Sequence, residues 1–205
     1  MAILAWRHYG DHEVAPLCRS WNGAIGAVAD SDRLAREFVG GVRATSVFSA
    51  PIRAVLEASS RREASDAQSR VDGRGLAAQA FALFPKIRQW DHLLRTDESV
   101  RARVREVHPE VSFAAMRGGL GCGIAEPKRT VDGQRIRRDL LAERFGDATV
   151  DQLLRDVPKK LAAGDDVLDA LAALWSAERI AAGTAQTLPS PVGIDSAGLV
   201  MAIWY

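Results

Sequence analysis

The 205-residue chain is 47% apolar and 26% charged, enough to close one full core and far from a disordered composition. Its formal net charge of +1 provides no general pull toward nucleic acid or an anionic membrane surface, so such a partner has to be met by a local patch. Cys18 and Cys122 lack the spacing of a zinc site or a disulfide framework, no cleavable leader is visible, and no apolar run reaches the roughly 18 residues of a membrane span. We therefore expect one soluble, cytoplasmic domain over residues 1–205, with no membrane partner.

Residues 1–6 read as a short strand, and no sustained period follows before Asp30. His8 and His12 are four apart, but Gly10 between them opposes the helix that would set both on one face, so surface histidines are expected. Asp30, Ser31 and Asp32 offer N-caps for a helix through Phe38, stopped by Gly40 and Gly41. Residues 45–48 are β-prone up to Pro51, and 52–69 read as helix. A further helix over 76–95 places Leu76, Ala80, Leu83, Phe84, Ile87, Trp90 and Leu94 at helical spacing, and Pro85 is expected to kink or split it.

Residues 100–107 read as a strand. Pro109 holds His108 extended and opens a helix over 109–116, which Gly118 and Gly119 end. Glu106 then lies in the strand, His108 at its end and Glu110 in a first helical turn, the edge at which open α/β sheets build ligand sites. The loop over 118–133 carries Lys128 and Arg129, and loops of that length tend to be functional or mobile. Helices are expected over 134–145, with Arg135, Arg137 and Arg138, over 150–161, and over 165–182, the most regular of all. A Pro/Gly-rich tail and a β-prone run over 199–205 complete the chain.

On the 165–182 helix, about 100° per residue puts Leu168, Leu171, Ala172 and Trp175 on one apolar stripe. Asp165, Asp166 and Asp169 share its flank. Caps and the helix dipole account for Asp165 and Asp166, at roughly 0.5–2 kcal/mol for a cap. Asp169, bordering the buried stripe, calls for a cation, either an arginine or a bound metal. A hard ion such as Mg²⁺ takes oxygen ligands, usually one or two carboxylates with water and phosphate. His108 reads as a ligand, a proton carrier or a turn residue satisfied by backbone. No nucleophile elbow, Walker loop or dinucleotide fingerprint is present, while a small-molecule hydrolase using the same acids and His108 stays open.

Val104-Arg105-Glu106-Val107-His108-Pro109-Glu110-Val111-Ser112-Phe113, Lys128-Arg129-Thr130, Asp165-Asp166-Val167-Leu168-Asp169-Ala170-Leu171 and Met201-Ala202-Ile203-Trp204-Tyr205 occur in that order. Together with Ser46-Val47-Phe48-Ser49-Ala50-Pro51, Gln79-Ala80-Phe81 and Pro85-Lys86-Ile87, they resemble the motifs of a bacterial family of unknown function regarded as predicted nucleases of the RNase H fold. The likeness covers 32–205 and leaves 1–30 poorly matched. It implies a helix-rich α/β fold, an incomplete or divergent RNase H-like one, with a small sheet flanked by several helices. It also implies phosphodiester hydrolysis with Mg²⁺ or Mn²⁺, and nucleic acid as partner. The implied catalytic set is Glu106, His108, Glu110, Asp166 and Asp169. The metal set is Asp165, Asp166, Asp169 and Glu110, and Lys128, Arg129, Arg135 and Arg138 would contact phosphate.

Two family features are missing: the opening Gly-x-Asp-Gly strand, and the following strand ending Asp-Ile-Pro-Ile-Gly, near which only Asn22-Gly23-Ala24-Ile25-Gly26 stands. An amide at Asn22 is a poorer Mg²⁺ ligand than a carboxylate, so an inactive member is one expectation. The alternative is a non-catalytic binding or assembly protein that keeps the helical half of the fold and forms a homo-oligomer through an open sheet edge. The geometric expectation is that Glu106 or Glu110 lies within a hydrated-metal span of Asp166 or Asp169.

Overall fold

The structure, a computed structural model, describes residues 13–15, 30–48, 50–73 and 75–205. Its strands are β1 (Glu13–Ala15), β2 (Val104–Val107), β3 (Thr187–Ile194) and β4 (Val200–Trp204), in the spatial order β1-β2-β4-β3. β2 runs parallel to β1 and to β4, and β3 is antiparallel to β4. The fold is thus a helix-rich α/β one around a small mixed sheet.

Alternation along the strands sets the two faces of this sheet. Ile203 packs with Ala35, Phe38, Val39, Val111 and Ala114, so α1 (Asp30–Val39) and α6 (Pro109–Met116) cover that side. Val107 packs on the other side against Ala173, Ala177 and Ile180 of α9 (Gly164–Ala181), whose small residues at helical spacing let the helix approach the strands closely. A second stripe of α9, Leu168, Leu171 and Ala172, closes a core with Phe113 of α6, Leu141 of α7 (Val131–Phe145) and Val150 of α8 (Asp147–Asp156). The buried hydroxyls of Ser112 and Ser176, 2.8 Å apart, tie α6 to α9.

A separate apolar cluster joins Ile52, Val55 and Leu56 to α2 (Arg61–Asp72), α3 (Ala78–Ala82) and α4 (Phe84–Thr96). Arg53, which also donates to Asp91 of α4 within the cluster, fastens it to the rest by donating to Asp195 in the β3–β4 turn. Pro85 sits in the first turn of α4, and the helical pattern over 76–95 is split there as expected.

Four local expectations are corrected. Residues 45–48 are not a strand, since a 3₁₀ helix spans Gly41–Ser46. The helix expected over 52–69 is a short 3₁₀ turn, Arg53–Val55, followed by α2, whose start is fixed by Ser60 accepting from the Glu63 N–H. The strand expected over 100–107 begins only at Val104, because Asp97 accepts from the Ser99 and Val100 N–H groups and caps a helix, α5 (Glu98–Arg103). The Pro-rich tail contains β3. Proline is tolerated there because β3 is an edge strand, and Pro189 and Pro191 remove two N–H donors from it, making it a poor template for another chain.

The loop before α7 is pinned. Gly121 and Gly123 donate to the Phe38 and Val39 carbonyls at 2.7 and 3.0 Å, and Arg43 Nη2 donates to the Ala125 carbonyl at 2.9 Å. A side chain at Gly123 would lie 2.3 Å from the Val39 oxygen, so this approach needs glycine. Among the described residues no helix is long and apolar enough to cross a membrane. The expectations for 1–6, His8, His12, Cys18 and Asn22–Gly26 fall outside the described residues.

Candidate functional site

Where β2 turns into α6, Pro109 occupies the first helical turn and His108 is extended at φ −124° and ψ 115°. His108 Nδ1 accepts the Glu110 N–H at 3.2 Å, so the ring caps α6 and carries its hydrogen on Nε2 when neutral. This bond gives the His108 ring a backbone partner at the start of α6. The next side chain, Glu110, is buried and receives two bonds from Arg137 Nη2, at 2.7 and 2.9 Å. Arg137 is 0% exposed, also donates to the carbonyls of Gly133 and Glu126, and lies 5.5 Å from the Phe113 ring centroid.

The acids of α9 divide. Asp166 Oδ2 accepts the Ala163 N–H at 3.1 Å and closes the helix start from inside, since Ala163 has no side-chain acceptor of its own. Asp165 and Asp169 turn instead to the segment before α7. Lys128 Nζ stands 2.7 Å from Asp169 Oδ2 and 3.3 Å from Asp165 Oδ2, and Arg129 Nε lies 3.8 Å from Asp165. Asp169 Oδ1 is buried and accepts no hydrogen bond among the described residues.

Burial pushes the Asp169 carboxyl up to about 6; Lys128 pulls it back, the charge of Glu110 raises it further and Arg137 lowers it. Glu110–Arg137 and Asp169–Lys128 therefore belong to one electrostatic centre between α6, α7 and α9. Burial works against the Lys128 ammonium too, but Asp169 and Asp165 together outweigh it and raise its pKa. Both shifts are upward, which disfavours the charged form of Asp169 and favours that of Lys128. Lys128 gains from two carboxylates, whereas burial leaves Asp169 short of positive charge even with Lys128 in contact.

Lys128 thus gathers Asp165 and Asp169, Glu110 pairs with Arg137 and adds its charge to the field at Asp169, and Asp166 and His108 each accept a backbone N–H at a helix start. Glu106 pairs in register with Ile203, so it belongs to the sheet face covered by α1 and α6, opposite α9. Between the strand-end and helix acids, the structure shows one charge interaction, that of Glu110 with Asp169, which raises the Asp169 pKa. Among the expected phosphate contacts, Arg138 binds Asp147 and Asp151 of α8 together with Asp139. Arg135 lies along α7 near Asp132 and Asp139, and Arg129 stays 86% exposed at the rim. The residue whose role sequence reasoning missed is Arg137. Its signal was its place at i+4 from Gly133 and i−4 from Leu141, all three of them buried on one stripe.

A hard cation suits this donor chemistry. The acceptors are all carboxylate oxygens, the Lys128 ammonium bridges two of them, and among the described residues Asp169 Oδ1 is left without a partner. Among the described residues no three His, Cys, Asp or Glu side chains form a metal-binding group; Asp165 and Asp169 are the two carboxylates that share one cation, Lys128. No curated protein and no solved structure matches the chain. A family model, described as "Protein of unknown function (DUF429)", matches residues 24–193 of the 205, and the chain belongs to that family.

Proposed function

We propose that the chain is a metal-dependent phosphodiester hydrolase of nuclease type, working at Asp165 and Asp169. The observation that carries this reading is the Lys128 ammonium bridging those two carboxylates beside the unpartnered Asp169 Oδ1. The raised Asp169 pKa has the same origin, a carboxylate whose burial outweighs the positive charge beside it. A divalent ion held there supplies Lewis acidity, neutralising phosphate charge and acidifying a water.

The chain's own groups do the positioning. The Glu110–Arg137 pair fixes α7 against α6, and with it the turn that carries Lys128 and Arg129. Arg129 projects from the rim and offers an approaching phosphate a guanidinium. The expected result is Mn²⁺-dependent cleavage of a single-stranded, duplex or hybrid substrate by the wild type, lost in Asp165→Ala and in Asp169→Ala. Cleavage that survives both substitutions, or that proceeds fully in EDTA, would sink the reading.

A second reading, a non-catalytic binding or assembly protein, is favoured by the matching of Glu110, Asp165 and Asp169 by Arg137, Lys128 and Arg129. It predicts that millimolar Mn²⁺ leaves the melting temperature of the wild type unchanged, whereas a metal site predicts a rise that Asp169→Ala abolishes.

A further inference from the structure

We infer that Lys128 is a tethered counter-ion that competes with divalent metal for Asp165 and Asp169, so that this one side chain sets the metal affinity of the centre. The inference rests on the reading above, that these two carboxylates are the cation ligands. Lys128 Nζ occupies the space between their Oδ2 atoms, at 3.3 and 2.7 Å. An ammonium and a hydrated divalent ion cannot share that space, and their mutual repulsion at such separations adds to the exclusion.

The movement required is confined to a side chain. The turn around Lys128 is held on both sides, with Thr130 N and Oγ1 donating to the Pro127 carbonyl at 3.0 and 2.8 Å and Thr130 Oγ1 accepting the Gly133 N–H at 3.1 Å. A Cβ on Gly133 would fall 2.0 Å from the Pro127 oxygen, so α7 and the turn are in direct backbone contact. The Lys128 side chain is 34% exposed and its stem is flexible, so the inference requires only that its own torsions turn the ammonium from the carboxylates toward water. When it leaves, among the described residues Asp169 has both oxygens unpartnered and Asp165 keeps only the distant Arg129. Two buried, nearly uncompensated carboxylates are the environment a hard divalent ion stabilises most.

The test is Mn²⁺ binding by isothermal titration and by melting temperature, on the full chain, comparing wild type, Lys128→Met, Lys128→Gln and the double variant Lys128→Met/Asp169→Asn. Met and Gln keep the stem and remove the charge. We expect Lys128→Met and Lys128→Gln to bind Mn²⁺ at least about tenfold more tightly than the wild type, and the double variant to lose that gain. Without metal, Lys128→Met should melt below the wild type, and Asp169→Asn should restore part of the loss. Binding by the neutral variants no tighter than by the wild type overturns the inference, whether or not the wild type cleaves its substrate. A neutral variant that binds tightly while the wild type shows no hydrolysis supports it and counts against the hydrolase reading alone. If Lys128→Met does not fold, Lys128→Gln decides by the same criterion.

Discussion

Arg137 and Arg138 follow one another on α7, about 100° apart around its axis, yet the first is sealed against Glu110 and the second lies in a solvent-facing cluster with Asp147 and Asp151 of α8. The side chain of Arg137 is 0% exposed and that of Arg138 is 22% exposed, while the Asp147 carboxylate facing Arg138 is 76% exposed. Charges taken out of water have no alternative partner, so the buried pair is strongly interdependent. Charges left in water exchange one partner for another at little cost. A basic residue therefore takes its role from the environment on its side of the helix, not from its membership of a basic run.

The largest test of this contrast is Arg137→Met. Removing one member of a buried pair strands the other, and the expected loss is about 3–5 kcal/mol in urea unfolding. Replacing both partners, Glu110→Leu with Arg137→Met, should recover part of that loss, because no lone buried charge remains. A single-variant loss below about 1 kcal/mol would place Arg137 in the same energetic class as a surface ion pair.

Asp169 sharpens the comparison from the acid side. Its folded-state pKa is raised to about 6, above the unfolded value of about 3.9. The folded chain therefore holds a proton that the unfolded chain has released. The stabilisation is fully present below about pH 4 and is lost as pH rises toward 6, at most about 3 kcal/mol in total. Lys128, Glu110 and Arg137 all contribute to the field that sets this window. In EDTA-treated protein, the unfolding free energy of wild type minus that of Asp169→Asn should fall between pH 4 and pH 6.5. A flat difference would mean that Asp169 is as well solvated as the surface acids.

How far the residues announce this arrangement differs from place to place. Pro109 after His108, the Gly118-Gly119 stop and the stripe Leu168, Leu171, Ala172 fix local geometry through the backbone and through a period of 3.6, and α6 and α9 lie close to where those signals set them. The strand before α6 reads longer in sequence than it is because Val100 to Val104 is compatible with either state, and the decision is made upstream, by the Asp97 cap. β3 was illegible because two prolines forbid an interior strand and only the tertiary position at a sheet edge permits one. The Asp169 cation was foreseeable as a need, from an acid beside an apolar stripe. That Lys128 meets it, 41 residues earlier in the chain, depends on how the pinned loop folds back over α9.

Lower on the scale is Arg138. Its bonds to Asp151, Asp147 and Asp139 hold the guanidinium strongly protonated, but they lie in water, so their contribution should be screened. Arg138→Ala should lower the melting temperature at low ionic strength and make almost no difference in 1 M salt, where the screening length is about 3 Å. A loss that persists at high salt would show that the arginine acts through the packing of its stem between α7 and α8 rather than through charge.

The smallest effect belongs to Arg135, which sits on the same helix and, among the described residues, has ion-pair partners only on that helix, Asp132 and Asp139, at 3.7 Å each. Its side chain is 62% exposed, and such i,i+3 and i,i+4 pairs contribute no more than about 0.5 kcal/mol. Arg135→Ala should therefore change stability by less than about 0.5 kcal/mol at any salt concentration, since alanine's higher helix propensity offsets part of the lost attraction. If the same substitution weakens binding to a phosphate-bearing polymer, with a shallower dependence of affinity on salt, Arg135 is a contact residue that folding does not require. If it changes neither stability nor binding, it is a solvated face, and the chemistry of α7 rests on Arg137 alone.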